Sequence, residues 1–385
     1  MNVESKHRYA AVFRSFGVVL AAIALALSTN LSLAKDVKTL ELGSKAPDFK
    51  LPGVDGKEYT LASFAEAKLL VVLFTCNHCP TAQAYEQRVI DFCGKYRPLG
   101  VELVAISPNS AEAVRLDELG YSDLGDSLDD MKICAKDRGF NFPYLYDGET
   151  QKASTEYGVL ATPHAYVFDQ ERVLRYVGRI DDAEVKEPKS HDLINAVDEL
   201  LAGKPVSTPK TRVFGCSTKW ADKIESAEKA VAKWNQEEVD LKVVKPDELK
   251  KKLTSKSENY RLVNVWATWC IPCVEELEEF TTLHRMYRNR HFELITVSAD
   301  ELSAMKAAKK VLASKHLSAS NFILDADSRD ELFEAVDPEW EGAVPYTCLI
   351  SPEGKVVFRK HDVIDPLELK REIVNRIGRT YADRK

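Results

Sequence analysis

The 385-residue sequence has no low-complexity segment and no basic cluster, and its formal net charge is −7. Nucleic-acid binding therefore has no electrostatic footprint here. The short KSHD and KKK runs read as solvated helix faces. A bilayer-spanning run is missing too. The N-terminal apolar stretch FGVVLAAIALAL (16–27) has 12 residues, short of the roughly 20 that a membrane helix needs. It follows Lys6, Arg8 and Arg14 and precedes Ser32 and Ala34, small residues at −3 and −1 of a cleavage site. Residues 1–34 thus read as a secretory signal peptide; the alternative is an uncleaved membrane anchor. An exported, periplasmic or otherwise extracytoplasmic chain meets oxidising conditions in which disulfides persist. Eight cysteines in such a length are too few for a disulfide scaffold. No further His or Cys stands near the Cys-x-x-Cys pairs at finger-like spacing, so no metal site is read, and neither pair is followed by the His of a c-type haem site.

What is present is a repeated order of elements. KLLVVLF (68–74) is apolar and β-branched, too short for a helix, and reads as a buried strand. FTCNHCPT (74–81) follows it, then a helical pattern from Pro80, a strand VELVAIS, a helix over 128–136, a short strand YLYD, a hairpin of HAYVFD and LRYVGRI, and a closing helix before Gly203. The order returns with RLVNVWA, the stretch WATWCIPCV (266–274), a helix, FELITVSA, a helix over 303–316, NFILD, a hairpin turning at Pro352-Glu353-Gly354, and a last helix PLELKREIVNRIG. Alternating strands and helices that end in a hairpin and a helix indicate an α/β fold, with a mixed sheet covered on both faces, in two tandem domains. The expected division is a signal peptide at 1–34, a first domain at 40–203, a linker with a connecting helix at 204–243, and a second domain at 244–382.

Each Cys-x-x-Cys pair lies where a strand leads into a helix. That placement predicts the first cysteine, Cys76 or Cys270, at the helix N-terminus, where unpaired N–H groups and the macrodipole favour a thiolate. The second, Cys79 or Cys273, lies one turn on and can close a disulfide. Attack on a partner's disulfide by the first and resolution by the second requires no cofactor.

On these residues both domains resemble thioredoxin-fold proteins. NVWATWCIPCVEE and VPYTCLISPEGKVV resemble the TlpA/ResA-like exported thiol–disulfide oxidoreductases. CNHCP (76–80), Thr162-Pro163, GRIDD and the closing GCSTKW (215–220) resemble the peroxiredoxin-like, AhpC/TSA-type redoxins. The resemblance implies cis peptide bonds at Pro163 and Pro345, opposite the cysteines, with Thr162 and Val344 presenting an open backbone edge to the partner. His78, placed as in strongly oxidising members, would favour a Cys76 thiolate and make the first pair the more oxidising. Thioredoxin carries a buried acid six residues before its first cysteine; Leu70 and Asn264 stand there. Glu276, three after Cys273, matches a TlpA-like active-site glutamate and is the candidate proton relay.

Four cysteines remain. Cys348 reads as a buried apolar residue. Cys93 and Cys134 could pair with each other or stay buried thiols, and Cys216 is either a mobile resolving thiol for Cys76 or structural. The expected function is an exported thiol–disulfide oxidoreductase acting on protein thiols and disulfides, with an unidentified membrane or periplasmic electron donor. Two other readings compete: antioxidant thiol peroxidase activity in the first domain, and a non-catalytic binding or metal-delivery module. Peroxiredoxins carry Thr three residues before the peroxidatic cysteine. In the CPT of residues 79–81 that position is Cys76, which weighs against the peroxidase reading.

Overall fold

The computed structural model describes residues 37–326 and 328–383. The expected signal peptide lies outside the described residues. From Val37 onward the chain forms one compact unit containing two α/β modules.

The first module is a five-stranded sheet in the order Tyr144–Tyr146, Val101–Ser107, Leu69–Phe74, His164–Phe168 and Leu174–Gly178. The first three strands are parallel and the last two antiparallel. Leu69–Phe74 shows why a six-residue apolar run is a central strand. Successive side chains point to opposite faces, and both faces are covered. Leu69, Val71 and Leu73 enter one core with helix Pro80–Tyr96, while Leu70, Val72 and Phe74 enter the other with Tyr157 and Tyr166. Each such burial contributes roughly 1.5–3 kcal/mol.

The second module has six strands in the order Lys242–Val244, Ser320–Leu324, Phe292–Ser298, Tyr260–Trp266, Tyr346–Ile350 and Val356–Lys360. Leu262 and Trp266 face a core with helix Ile271–Tyr287, and Val263 and Val265 face the opposite one. The peptide bonds before Pro163 and Pro345 are cis.

Two features differ from the expectations. The segment after Gly203 is not free chain. Its Lys210 bridges to Val177, Cys216–Ser217 pairs antiparallel with Ala161–Thr162, and Trp220 is buried. The connecting helix then spans Ile224–Trp234.

The loop at 119–126 is gripped by the second module. Leu119 packs on its core, the Tyr287 hydroxyl donates to the Ser122 carbonyl at 3.2 Å, Arg290 donates to the Gly120 carbonyl, and Arg371 and Arg379 both pair with Asp123. Among the described residues no helix is long and apolar enough to cross a membrane.

Candidate thiol centres

In the second module Cys270 is the N-cap of helix Ile271–Tyr287, and it forms a disulfide with Cys273. Both sulfur-bearing residues are buried, yet their neighbours Trp269 and Ile271 are 57% and 71% exposed, an apolar rim beside a covered disulfide. Glu276 lies one turn after Cys273. Its Oε1 accepts from Asn264 Nδ2 at 3.0 Å and its Oε2 from the Ile364 N–H at 3.3 Å. Burial pushes its carboxyl up to about 7, against the opposing effect of those two hydrogen bonds. Asn264, the residue standing at thioredoxin's acid position, therefore holds a carboxyl delivered from the helix. Val344 is half-buried beside the cis-proline and touches both cores.

The first module is not a copy of this arrangement. Phe74 pairs with His164, directly after Pro163, and Val265 pairs with Tyr346, directly after Pro345. Five residues beyond Phe74 stands Cys79; five beyond Val265 stands Cys270. Cys79, not Cys76, is thus the structural counterpart of Cys270, and it is the N-cap of helix Pro80–Tyr96. Ala82 occupies the place of Cys273, and Cys76 the place of Ala267. The expectation that Cys76 heads the helix is corrected. Pro80 has no N–H to offer and suits the first helical position, which makes the preceding Cys79 the cap.

Cys79 Sγ accepts the N–H groups of Ala82 at 3.5 Å and Cys216 at 3.4 Å, and donates to the Thr162 carbonyl at 3.3 Å. Burial disfavours its thiolate. The bonds from the Cys216 and Cys76 thiols, the His78 charge and the Ala82 N–H outweigh it and hold Cys79 well below the usual thiol range. Cys76 is pushed well above that range by burial and its bond to Cys79. Cys216 is also raised, first by its bond to Cys79 and then by burial. His78 therefore does not favour a Cys76 thiolate as expected.

His78 itself is fully covered. Burial alone would keep it neutral, but the Asp126 carboxylate at 2.6 Å from Nδ1 raises its pKa. Asp126 accepts four bonds, from the N–H groups of Asn77 and His78, from His78 Nδ1, and from Asn109 Nδ2 at 2.7 Å. Cys76 Sγ, His78 and Asp126 lie close enough to one another to offer three ligand atoms to a metal ion. Asp126 already has those four protein partners.

Thr162 is buried. Its Oγ1 lies 3.2 Å from Cys76 Sγ, and its backbone edge is taken by Cys216. The open edge expected there is filled by the chain itself. Cys216 accordingly sits at Cys79, whereas Cys93 and Cys134 are buried free thiols, each pushed up to about 12 by desolvation. Cys93 is locked in the sheet–helix core and Cys134 inside helix Leu128–Asp137, so neither joins the centre. Cys348 is a buried thiol as expected.

The AhpC/TSA family matches residues 42–177 and again 217–359, together well over half of the chain. The chain belongs to the AhpC/TSA family. It is similar to the thiol-disulfide oxidoreductase ResA of Bacillus subtilis, 30% identical over 95 residues, which are 25% of this chain and 49% of that protein. ResA of Geobacillus thermodenitrificans is 29% identical over 114 residues, 28% of this chain and 60% of the relative. The AhpC/TSA-family chain thus spans about half the length of the curated relatives it matches. A hypothetical protein of Sinorhizobium meliloti, known as a crystal structure, is 35% identical with a TM-score of 0.43, covering 48% of this chain and 97% of its own.

Within this AhpC/TSA chain, Asp126 and Asn109 are the site residues that sequence reasoning missed. Asp126 comes from a loop 48 residues beyond its partner His78, and Asn109 from another loop 17 residues before its partner Asp126. No motif marks either one. Gly215 could have been found. It has φ of +134°, and a Cβ there would lie 2.0 Å from the Thr162 carbonyl oxygen, so only glycine lets Cys216 approach.

Proposed function

We propose that the chain is a thiol–disulfide oxidoreductase with two unlike thiol centres, acting on protein thiols and disulfides after export. The observation that carries the reading is that each module places a cysteine, Cys79 or Cys270, at the N-cap of the helix that follows its central strand. Helix N–H groups stabilise a thiolate there. In the second centre Cys270 attacks and Cys273 resolves, with Glu276 near half-ionisation at neutral pH to pass the proton. In the first, Cys79 is the nucleophile, with Cys76, His78 and Thr162 as its immediate surroundings. The sequence similarity to proteins named thiol-disulfide oxidoreductase supports the same chemistry.

Reduction of insulin or oxidised glutathione by the purified chain, with dithiothreitol as electron source, tests this. Activity that falls stepwise in Cys270→Ser and Cys79→Ser variants is expected. Full activity in the double variant would overturn the reading.

A second reading, peroxide reduction at Cys79, is favoured by one observation: Cys79, not Cys76, is the N-cap of helix Pro80–Tyr96, where the Ala82 N–H lowers its thiol pKa. Cys76 still stands where that chemistry places a threonine, so the expected rate with hydrogen peroxide in stopped flow is close to that of a free thiolate. A rate orders of magnitude higher, lost in Cys79→Ser, would establish the peroxidase instead.

A further inference from the structure

In the first centre the sulfur nearest to Cys79 outside its own helix-capping loop comes from a distant segment. Cys216–Ser217 runs antiparallel to Ala161–Thr162, with Cys216 opposite Thr162. The Cys216 N–H points at Cys79 Sγ at 3.4 Å, and its side chain packs against Cys76, Cys79 and Ala82. This is the edge on which the sequence leads one to expect a substrate strand. The second module has no such strand on Val344 among the described residues.

The segment is built to stay in register. Gly215 removes the side chain that would strike the Thr162 carbonyl. Three residues on, Thr218 is buried, and the Lys219 N–H donates to Asn109 Oδ1 at 2.8 Å, which ties the segment to Asp126 and so to His78. The ladder itself is only two residues long, short enough to open for a substrate and close again. Of the three clustered sulfurs, Cys216 alone is not fully buried; Cys76 is 3% exposed with its Sγ held by Thr162 Oγ1. The place at which Cys273 resolves in the second module is Ala82 here, so the helix supplies no resolving thiol.

We propose that Cys216 is the resolving thiol of Cys79, held by the chain itself where a substrate cysteine would lie, so that the redox disulfide of the first module is Cys79–Cys216 and not Cys76–Cys79. This rests on the reading of Cys79 as nucleophile. The Cys79 thiolate attacks a disulfide R–S–S–R′, forms the Cys79–S–S–R bond and releases R′S⁻. With the ladder closed again, the Cys216 sulfur attacks Cys79 Sγ, its proton passes to the departing RS⁻, and the Cys79–Cys216 bond forms. The two protein sulfurs are oxidised by two electrons and R–S–S–R′ is reduced to two thiols.

The full chain is first reduced and freed of reductant. It is then treated with oxidised glutathione, quenched with acid and N-ethylmaleimide at intervals, digested and mapped by mass spectrometry. The expected result in the wild type is a glutathione adduct on Cys79 that converts to a Cys79–Cys216 cross-linked peptide. In Cys216→Ser the adduct should persist at least about tenfold longer, because an intramolecular thiol at high effective concentration has been removed. A predominant Cys76–Cys79 peptide in the wild type, or equally fast loss of the adduct in Cys216→Ser, overturns the proposal while leaving Cys79 as nucleophile. A Cys79 that never carries glutathione overturns both. The wild-type map needs no variant to fold.

Discussion

Glu276→Gln offers the sharpest physical test. The wild-type carboxyl ordinarily ionises near 4.5 and in the folded chain is raised to about 7, because burial outweighs the hydrogen bonds from Asn264 and Ile364. Between those two pH values the folded state holds a proton that the unfolded state has released. Linkage then gives a negative slope, so stability is fully present below about 4.5 and declines as pH rises through about 7. At about 1.36 kcal/mol per pH unit the loss is at most ~3.4 kcal/mol. Partial solvent contact of the carboxyl trims it to roughly 2 kcal/mol. Glutamine keeps the shape and the acceptor for Asn264 but does not titrate. Guanidinium titrations of both oxidised proteins at pH 5 and pH 8, followed by tryptophan fluorescence, should show the variant gaining about 2 kcal/mol on the wild type over that interval. Activity of the second centre should lose its inflection near 7 in the same variant. A difference in stability that stays constant with pH would refute the burial argument for Glu276.

Cys270→Ser should abolish disulfide reduction by the second centre, while Cys273→Ser should accumulate mixed disulfides visible on non-reducing gels; faster alkylation of Cys273 than of Cys270 in the reduced protein would reverse the roles. Asp126→Ala should destabilise the chain by about 3–5 kcal/mol in denaturant titrations, because it strands a buried His78 and two backbone N–H groups; a loss below 1 kcal/mol would mean water replaces the carboxylate. Asp126→Asn should fold and should slow iodoacetamide alkylation of Cys79 near pH 6 by about tenfold, since a less charged His78 supports the thiolate less; an unchanged rate would remove His78 from that role.

Much of the fold was legible because the physics is local. Six consecutive apolar residues at 69–74, too short for a helix and with β-branched members, read as a strand covered on both faces, and the strand–helix order repeats it. The resemblance also placed both cis-prolines correctly. The site was harder to read. The two Cys-x-x-Cys pairs have the same spacing, but spacing does not say on which residue a helix begins. Pro80 carried that information, since proline at the first helical position makes Cys79 the cap. Asp126 and Asn109 could not be read at all. Their roles arise from loops that the sheet brings together, and nothing near them in sequence distinguishes them from other polar loop residues. Cys216 was visible as part of GCSTKW, but its position beside the helix cap Cys79 could not be read, because it depends on a strand pairing between Cys216 and Thr162 that no local pattern marks.

The grip of the second module on residues 119–126 has a consequence for how the first centre comes into being. Asp126 hangs from a loop whose other end is fixed by Tyr287, Arg290, Arg371 and Arg379. During synthesis the first module emerges well before those residues exist. Its sheet can close, and Asn77, Asn109 and Gln83 already hold the loop from inside the first module, but the outer brace on Asp123 is missing until the C-terminal helix Pro366–Ile377 has docked. The Asp126–His78 pair would thus gain its outer brace last, once the whole chain is in place. A first module cut away from the second would report the centre without that brace.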